Sequence, residues 1–430
     1  MRPALMLLVS TRSYRTGDFL AAAERLGVRV VVGSDLCHQV EETFGARAGA
    51  VALDFRRPER AAGTIAELAT STPIGGIVPT DEGTAVIAAL AAARLGLAHN
   101  PPEATRRAAN KHEQRAALAA RGVPVPPFSV HPLAGGPDRA AAAAPFPCVL
   151  KPLGLSASRG VIRADDARSF VAAWRRIEAI LGRARAERRP RDDEAMEAIL
   201  VERFVPGREV ALEGLLRGGG LEVLAIFDKP DPLDGPFFEE TIYVTPSRHP
   251  PELQGRVREV VARGASALGL VEGPIHAELR LGPEGPVVLE IAARSIGGLC
   301  ARALRFGVGV SLEELLIAHA MRLPLEAGAR EGRAAGVMML PIPRAGVLRG
   351  VGGLESARAV PGVEDVVITI PDGRAVEPLP EGDAYLGFAF ARAGTPEAVE
   401  AALRRAEALL RVDIRPALPT VEPATAAPRG

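Results

Sequence analysis

Cysteine is scarce and neither sign of charge is in excess in this 430-residue chain. Cys37, Cys148 and Cys300 are odd in number and widely separated. They suit neither a disulfide framework nor a zinc site, and fit a reducing cytoplasm. Lys plus Arg and Asp plus Glu number 52 each, so no global field draws the chain to nucleic acid or to an anionic membrane. No apolar stretch reaches the ~18 residues that a membrane-spanning helix needs. The apolar run within Met1–Ser10 is short and lacks a small-residue cleavage site, so a first β-strand is expected there rather than a signal peptide. The turn that follows, Ser10 to Gly17, has no G-x-G-x-x-G pattern, which argues against a dinucleotide site and an oxidoreductase.

What is present is a regular alternation. Strands fit 4–9, 28–32, 50–53 and 76–78, with helices at 17–26, 58–69 and 84–95, which is a βαβ pattern and hence a parallel sheet covered by helices. One helix is expected over 105–121, then a proline-rich link, Val123-Pro124-Val125-Pro126-Pro127. Strand-rich sequence with longer loops runs to about residue 300 and a helix covers 311–322. Strands return at 336–340, 363–370 and 385–390, and an amphipathic helix spans 395–410. The run of Arg, Asp and Glu over 181–196 reads as a solvated helix end and loop. The Pro/Ala/Thr-rich tail, 416–430, reads as disordered. The fold class is therefore α/β, with an N-terminal unit over 1–104, a central region over 105–325 whose small lid part is 128–202, and a C-terminal α+β module over 335–415.

The chemistry gathers at two glutamates. Ile275–Leu281 and Val287–Ile291 alternate apolar and polar residues around a five-residue Gly/Pro loop, the pattern of a β-hairpin. Pairing Leu281 with Val287 sets Leu279 opposite Leu289 and Glu278 opposite Glu290, with Cβ atoms roughly 5 Å apart on one face. Opposed like charges destabilise a hairpin, so a cation is expected between them, and all-oxygen ligands suit Mg²⁺ or Mn²⁺ better than zinc. The competing reading is a solvated hairpin with two surface acids. His276 falls on the same face with no second His or Cys beside it.

Three further constellations carry weaker signals. A strand over 148–152 delivers Lys151 into a small-residue loop, Ser156-Ala157-Ser158-Arg159-Gly160, whose amides and hydroxyls can cradle phosphates, although such loops are often mere turns. A second stretch, 199–210, leaves Glu202 and Glu209 flanking a Pro-Gly turn, in a cleft or on a surface hairpin. Lys111, in Asn110-Lys111-His112 at a helix head, can reach an anion or stay at the surface.

The order of these pieces resembles the ATP-grasp ligases over roughly residues 1–325, together with Pro79-Thr80-Asp81-Glu82-Gly83-Thr84, His99-Asn100-Pro101-Pro102-Glu103-Ala104 and Glu290-Ile291-Ala292-Ala293-Arg294. Within that superfamily the chain looks like the L-amino-acid (dipeptide) ligases, which carry a similar C-terminal domain. The resemblance implies a carboxylate–amine ligase that uses ATP and Mg²⁺ (or Mn²⁺) and works through an acyl phosphate on small-molecule carboxylate and amine substrates. It implies phosphate contacts from Lys111 and Lys151, a mobile loop from Ser156 through Ser158 to Gly160, adenine contacts from Glu202, Phe204 and Val205, and ribose contacts from Glu209. Glu278 and Glu290 would bind metal, Arg294 would hold the phosphoryl group and the acyl phosphate, and Glu240 in the 228–243 loop would meet the substrate amino group. Where many relatives have an asparagine metal ligand, this chain has Ala292. A purine-pathway or carboxylase-type ATP-grasp enzyme, a non-catalytic ATP-binding protein and a homodimer remain open on the sequence.

Overall fold

The computed structural model describes residues 2–10, 13–35, 49–187, 193–325 and 328–416. Cys37 and the tail from residue 417 lie outside the described residues. The N-terminal unit is a parallel sheet in the order Gly49–Ala52, Val30–Ser34, Ala4–Val9, Ile74–Pro79. Ala4–Val9 is buried on both faces, as expected of a strand covered by helices on either side. The helix Glu82–Leu95 begins just after the Ile74–Pro79 strand, where the Asp81 carboxylate caps it by accepting from the Thr84 amide at 3.1 Å.

The expected helix over 105–121 is two helices, Pro102–Ala109 and Lys111–Ala120. Asn110 breaks them, because its side-chain oxygen accepts from the amides of His112 (3.0 Å) and Glu113 (3.2 Å) and its backbone is extended. An asparagine that caps a helix offers the backbone an alternative to continuing the preceding one. The break aims Lys111, the first residue of the new helix, at the centre of the molecule.

The lid is a four-stranded antiparallel sheet, Phe128–Pro132, Ala198–Arg203, Cys148–Pro152, Ile162–Ala164. The helix Ala167–Glu187 lies against it through Phe170, Trp174, Ile177 and Ile180. The charged run expected to be solvated begins inside this helix: Leu181 and Ala184 are buried, so the start of the run belongs to the lid core.

An eight-stranded sheet forms the body. Its strands run, from one edge, Gly285–Ala292, Gly273–Gly282, Arg208–Arg217, Gly220–Lys229, Ile242–Thr245, Ala334–Leu340, Gly387–Ala393 and Val363–Ile368. The C-terminal module thus continues the central sheet through Ile242–Thr245 paired with Ala334–Leu340. Strands Ala198–Arg203 and Arg208–Arg217, read from sequence as a strand that stops and restarts, belong to different sheets. Gly207 makes the passage between them: its φ is +119°, and a Cβ there would lie 2.2 Å from the Leu281 carbonyl oxygen. Only glycine fits.

Candidate active site

The hairpin places Glu278 opposite Glu290, as its alternation predicts. The rest of the register differs: Leu281 pairs with Pro286 and Leu279 with Val288, around a tight turn between Gly282 and Gly285. A β-bulge beside Leu279 absorbs the extra residue and restores the glutamates to the same face. Leu289 is the unpaired residue, and its carbonyl accepts from the Arg115 guanidinium. Nothing in the sequence marks the bulge, because Val287, Val288 and Leu289 are all apolar and suit either face.

Both glutamates line a cavity between the lid, the body and the head of the Lys111–Ala120 helix. Glu278 is held well below the usual carboxylate range. Burial alone would raise it, but Lys229 and His276 outweigh that. Glu290 has no hydrogen-bond or ion-pair partner among the described residues. Glu82, at the first position of its helix, adds a third carboxylate to this wall; burial and the charge of Glu290 push it up. Its Oε2 is buried without a hydrogen bond and lies 3.9 Å from Arg294.

A second acidic cluster is already neutralised. Glu209, Glu240 and Glu278 bring oxygens within 4.8 Å of one another. Lys229 Nζ stands among them, 2.7 Å from Glu209 and 3.1 Å from Glu278, and also bonds Glu240. Burial would lower this lysine, but the three carboxylates raise it well above its usual value, so the ammonium persists. Glu240 is itself pushed up to about 7, by burial and by the charge of Glu278. Arg280 holds the other oxygen of Glu209 at 3.1 Å.

Across the cavity the walls are cationic. Lys111 Nζ donates to the Leu155 carbonyl at 2.6 Å and Lys151 Nζ lies 2.6 Å from Glu202, while Arg294 approaches from the hairpin side. Glu202 is fully buried between Lys151 and Arg115; burial would raise its carboxyl, but the two cations hold it down. Glu202 lines the cavity together with Arg203, Phe204 and Val205, and the Arg163 and Arg280 guanidinium groups lie 4.2 and 5.3 Å from the Phe204 centroid. Ser156, Ala157 and Ser158 form the rim, and Ala157 and Ser158 have φ of +56° and +55°. The loop therefore turns tightly here, and the amides of such a turn can face an anion.

Of the residues singled out from the sequence, Gly160 and His276 stay off the cavity wall. Gly160 turns its amide away to the Pro380 carbonyl at 2.9 Å, and its φ of +73° makes it the end of the loop instead of part of the cradle. His276 lies beneath: Nδ1 is 3.1 Å from Glu213 and Nε2 3.5 Å from Glu278. Burial would lower the ring, yet the two carboxylates raise it to about 9.

Several supports had no local signal. Gln114 pins the hairpin edge by donating to the Ile291 carbonyl at 3.0 Å and accepting from its amide at 2.9 Å. Glu213 accepts from the Ile296 amide at 3.0 Å, and Arg15, from the glycine-poor first turn, donates to Ser295 Oγ at 2.9 Å and the Ile296 carbonyl at 3.0 Å. Together they fix the segment after Arg294. All three are buried polar residues more than 80 residues from their partners, so only the fold brings them into view.

Three family models match along the chain: the ATP-grasp N-terminal domain over residues 20–99, the ATP-grasp domain over 144–303 and the L-amino acid ligase C-terminal domain 2 over 338–415. The chain belongs to the ATP-grasp superfamily, as its motif order led us to expect. Among solved structures it is similar to the L-amino acid ligase from Bacillus licheniformis, with a TM-score of 0.80 and 27% identity, covering 96% of this chain and 100% of that one. An uncharacterized protein of Sinorhizobium fredii is 27% identical over 94% of this chain and 82% of its own length. Human carnosine synthase 1 is 30% identical over 67% of this chain. The match spans only 36% of that enzyme's length.

Proposed function

We propose that the chain is an ATP-dependent carboxylate–amine ligase that forms an amide bond through an acyl phosphate, with an amino acid as one substrate. The observation that carries this reading is the sharing of one cavity by two carboxylates, Glu278 and Glu290, and three cations, Lys111, Lys151 and Arg294. The first pair suits a divalent cation, and the second set suits a polyphosphate. The similarity to an L-amino acid ligase, extending through the C-terminal module, supports an amino acid over the substrates of other ATP-grasp enzymes.

The donor chemistry fits Mg²⁺: Glu278 is ionised, Glu290 lacks a competing partner among the described residues, and both offer oxygen only. Bound by these two, the ion would neutralise charge on the phosphate oxygens. Lys111, Lys151 and the 156–158 loop bind and orient the triphosphate, while the 203–205 main chain and Phe204 receive the base. Glu209 would accept from the ribose hydroxyls. A substrate carboxylate oxygen then attacks the γ-phosphorus, forming an O–P bond as the bond to the ADP oxygen breaks. Arg294 stabilises the charge that builds on the transferring group. An amine attacks the acyl carbon, loses a proton, and inorganic phosphate leaves. Glu240, on the cavity wall, is the carboxylate that would meet the substrate ammonium group. Lys229 supplies the positive charge among Glu209, Glu240 and Glu278, so this cluster needs no metal of its own.

The test is a panel of amino acids as acid and amine, with ATP and Mg²⁺, read by phosphate release and product mass. Amide products with one ADP and one phosphate each are expected. ATP binding with no ADP across the whole panel would instead identify a non-catalytic nucleotide-binding protein.

A further inference from the structure

The loop over the cavity rim does not close on the body alone. It rests on a turn of the C-terminal module, residues 377–383, which joins the Ala375–Val376 strand to the Gly387–Ala393 strand. Within that turn the Gly382 amide donates to the Pro378 carbonyl at 2.9 Å, and a Cβ on Gly382 would lie 2.1 Å from the Glu377 carbonyl oxygen.

Contacts from the lid converge on it. The Gly160 amide donates to the Pro380 carbonyl at 2.9 Å, and Arg159 Nε donates to the Glu381 carbonyl at 2.8 Å. Arg176, on the lid helix, grips the Glu381 carboxylate with both arms of its guanidinium, at 2.6 and 2.8 Å. Two turns further along, Arg183 meets Glu377 at 3.2 Å. Arg159 is 6% exposed, a degree of burial that its neighbours Ser156, Ala157 and Ser158 do not share. Residues 156–158 face the cavity, while 159 and 160 are tied to the turn. The loop therefore has its inner half presented to the ligand and its outer half bolted to a different module.

We propose that the 377–383 turn is the seat against which the 156–160 loop closes, and that Glu381 is a positioning residue that sets the affinity for a nucleoside triphosphate without touching it. The proposal rests on the reading of the 156–158 rim as a phosphate cradle. The bidentate Arg176–Glu381 pair has a fixed direction, so it locates the lid helix as well as attracting it. Removing it frees the lid to rotate, and the cradle loses its aim at the phosphates. The adenine pocket, built on 203–205, keeps its own supports: the Arg203 amide donates to the Pro127 carbonyl and the Phe204 amide to the Pro147 carbonyl, each at 2.9 Å.

The experiment measures binding of a non-hydrolysable ATP analogue and of adenosine to the full-length chain by calorimetry, with Mg²⁺ present. The variants are Glu381→Ala, and Glu381→Arg alone and combined with Arg176→Glu. Glu381→Ala is expected to weaken the triphosphate analogue about fivefold, the scale of one well-oriented surface ion pair, and to leave adenosine unmoved. The KM for ATP should rise with it while the KM for the amino acid stays. The reversed pair should recover most of the affinity that Glu381→Arg loses. Three results overturn the proposal: unchanged triphosphate affinity in Glu381→Ala, an equal loss for adenosine, or no recovery in the reversed pair. Failure of the unmodified chain to bind the triphosphate analogue would instead fall on the phosphate-cradle reading, and would take this proposal with it.

Discussion

Glu290 illustrates how one position carries several constraints. It faces Glu278 across the hairpin, repels Glu82, and interacts electrostatically with Arg294. Glu290→Gln is expected to abolish turnover while the unliganded protein melts at the same or a slightly higher temperature, because like charges opposed on a sheet are unfavourable. Near-normal turnover at saturating Mg²⁺ would remove this residue from the metal site. Arg294 is the second test at this scale. A guanidinium fork bridges two phosphoryl oxygens and an ammonium cannot, so Arg294→Lys should lose on the order of a hundredfold in kcat, or ~3 kcal/mol. If Arg294 only balances Glu82 and Glu290, lysine should work nearly as well. Glu202 supplies a pH prediction. Arg115 and Lys151 hold its folded-state carboxyl below the usual range. Its stabilisation is therefore fully present above the unfolded value of ~4.3 and is lost as pH falls through the lower folded value. Replacing Glu202 with Gln should flatten that part of the acid unfolding curve, and should cost roughly 3–5 kcal/mol near neutrality because Arg115 is left buried without its partner. An unchanged acid limb would show that the pair is solvated.

At the scale of elements, the Lys111–Ala120 helix does two tasks at once. Its first residue reaches the cavity, and its Gln114 side chain closes the exposed edge of the eight-stranded sheet by satisfying both backbone groups of Ile291. Gln114→Ala leaves that amide and carbonyl buried and unpaired, which should cost roughly 2–3 kcal/mol in chemical denaturation. A value near zero would mean that water replaces the side chain. The sequence shows the helix plainly through its cap and the hairpin through its period of two, since both signals are local. It leaves open what precedes that cap, where one helix over 105–121 was expected and two are found, and it hides the bulge at Leu289, because a bulge is settled by the partner strand and by Arg115. The opposition of Glu278 and Glu290 was nevertheless legible: a same-face pairing is the arrangement that buries Ile275, Ala277, Leu279 and Ile291 together.

For the whole molecule, the alternating first hundred residues and the order of the motifs were enough to indicate an ATP-grasp architecture. What could not be read was how the parts meet. The C-terminal module lends three strands to the central sheet and a turn to the lid, and neither contact has a signature within the segments that make it. Cys148 and Cys300 are buried in different cores, and burial pushes the Cys148 thiol up to about 12. Among the described residues no helix is long and apolar enough to cross a membrane.

The proposed event is the attack of a carboxylate on phosphorus inside this one cavity, and isotope transfer tests it directly. With ¹⁸O in the carboxylate of the acid substrate, and ATP, Mg²⁺ and the amine present, one labelled oxygen should appear in the released phosphate for every amide formed. Label-free phosphate, or AMP with pyrophosphate in place of ADP, would contradict an acyl phosphate, and with it the phosphoryl-transfer roles of Lys151, Glu290 and Arg294.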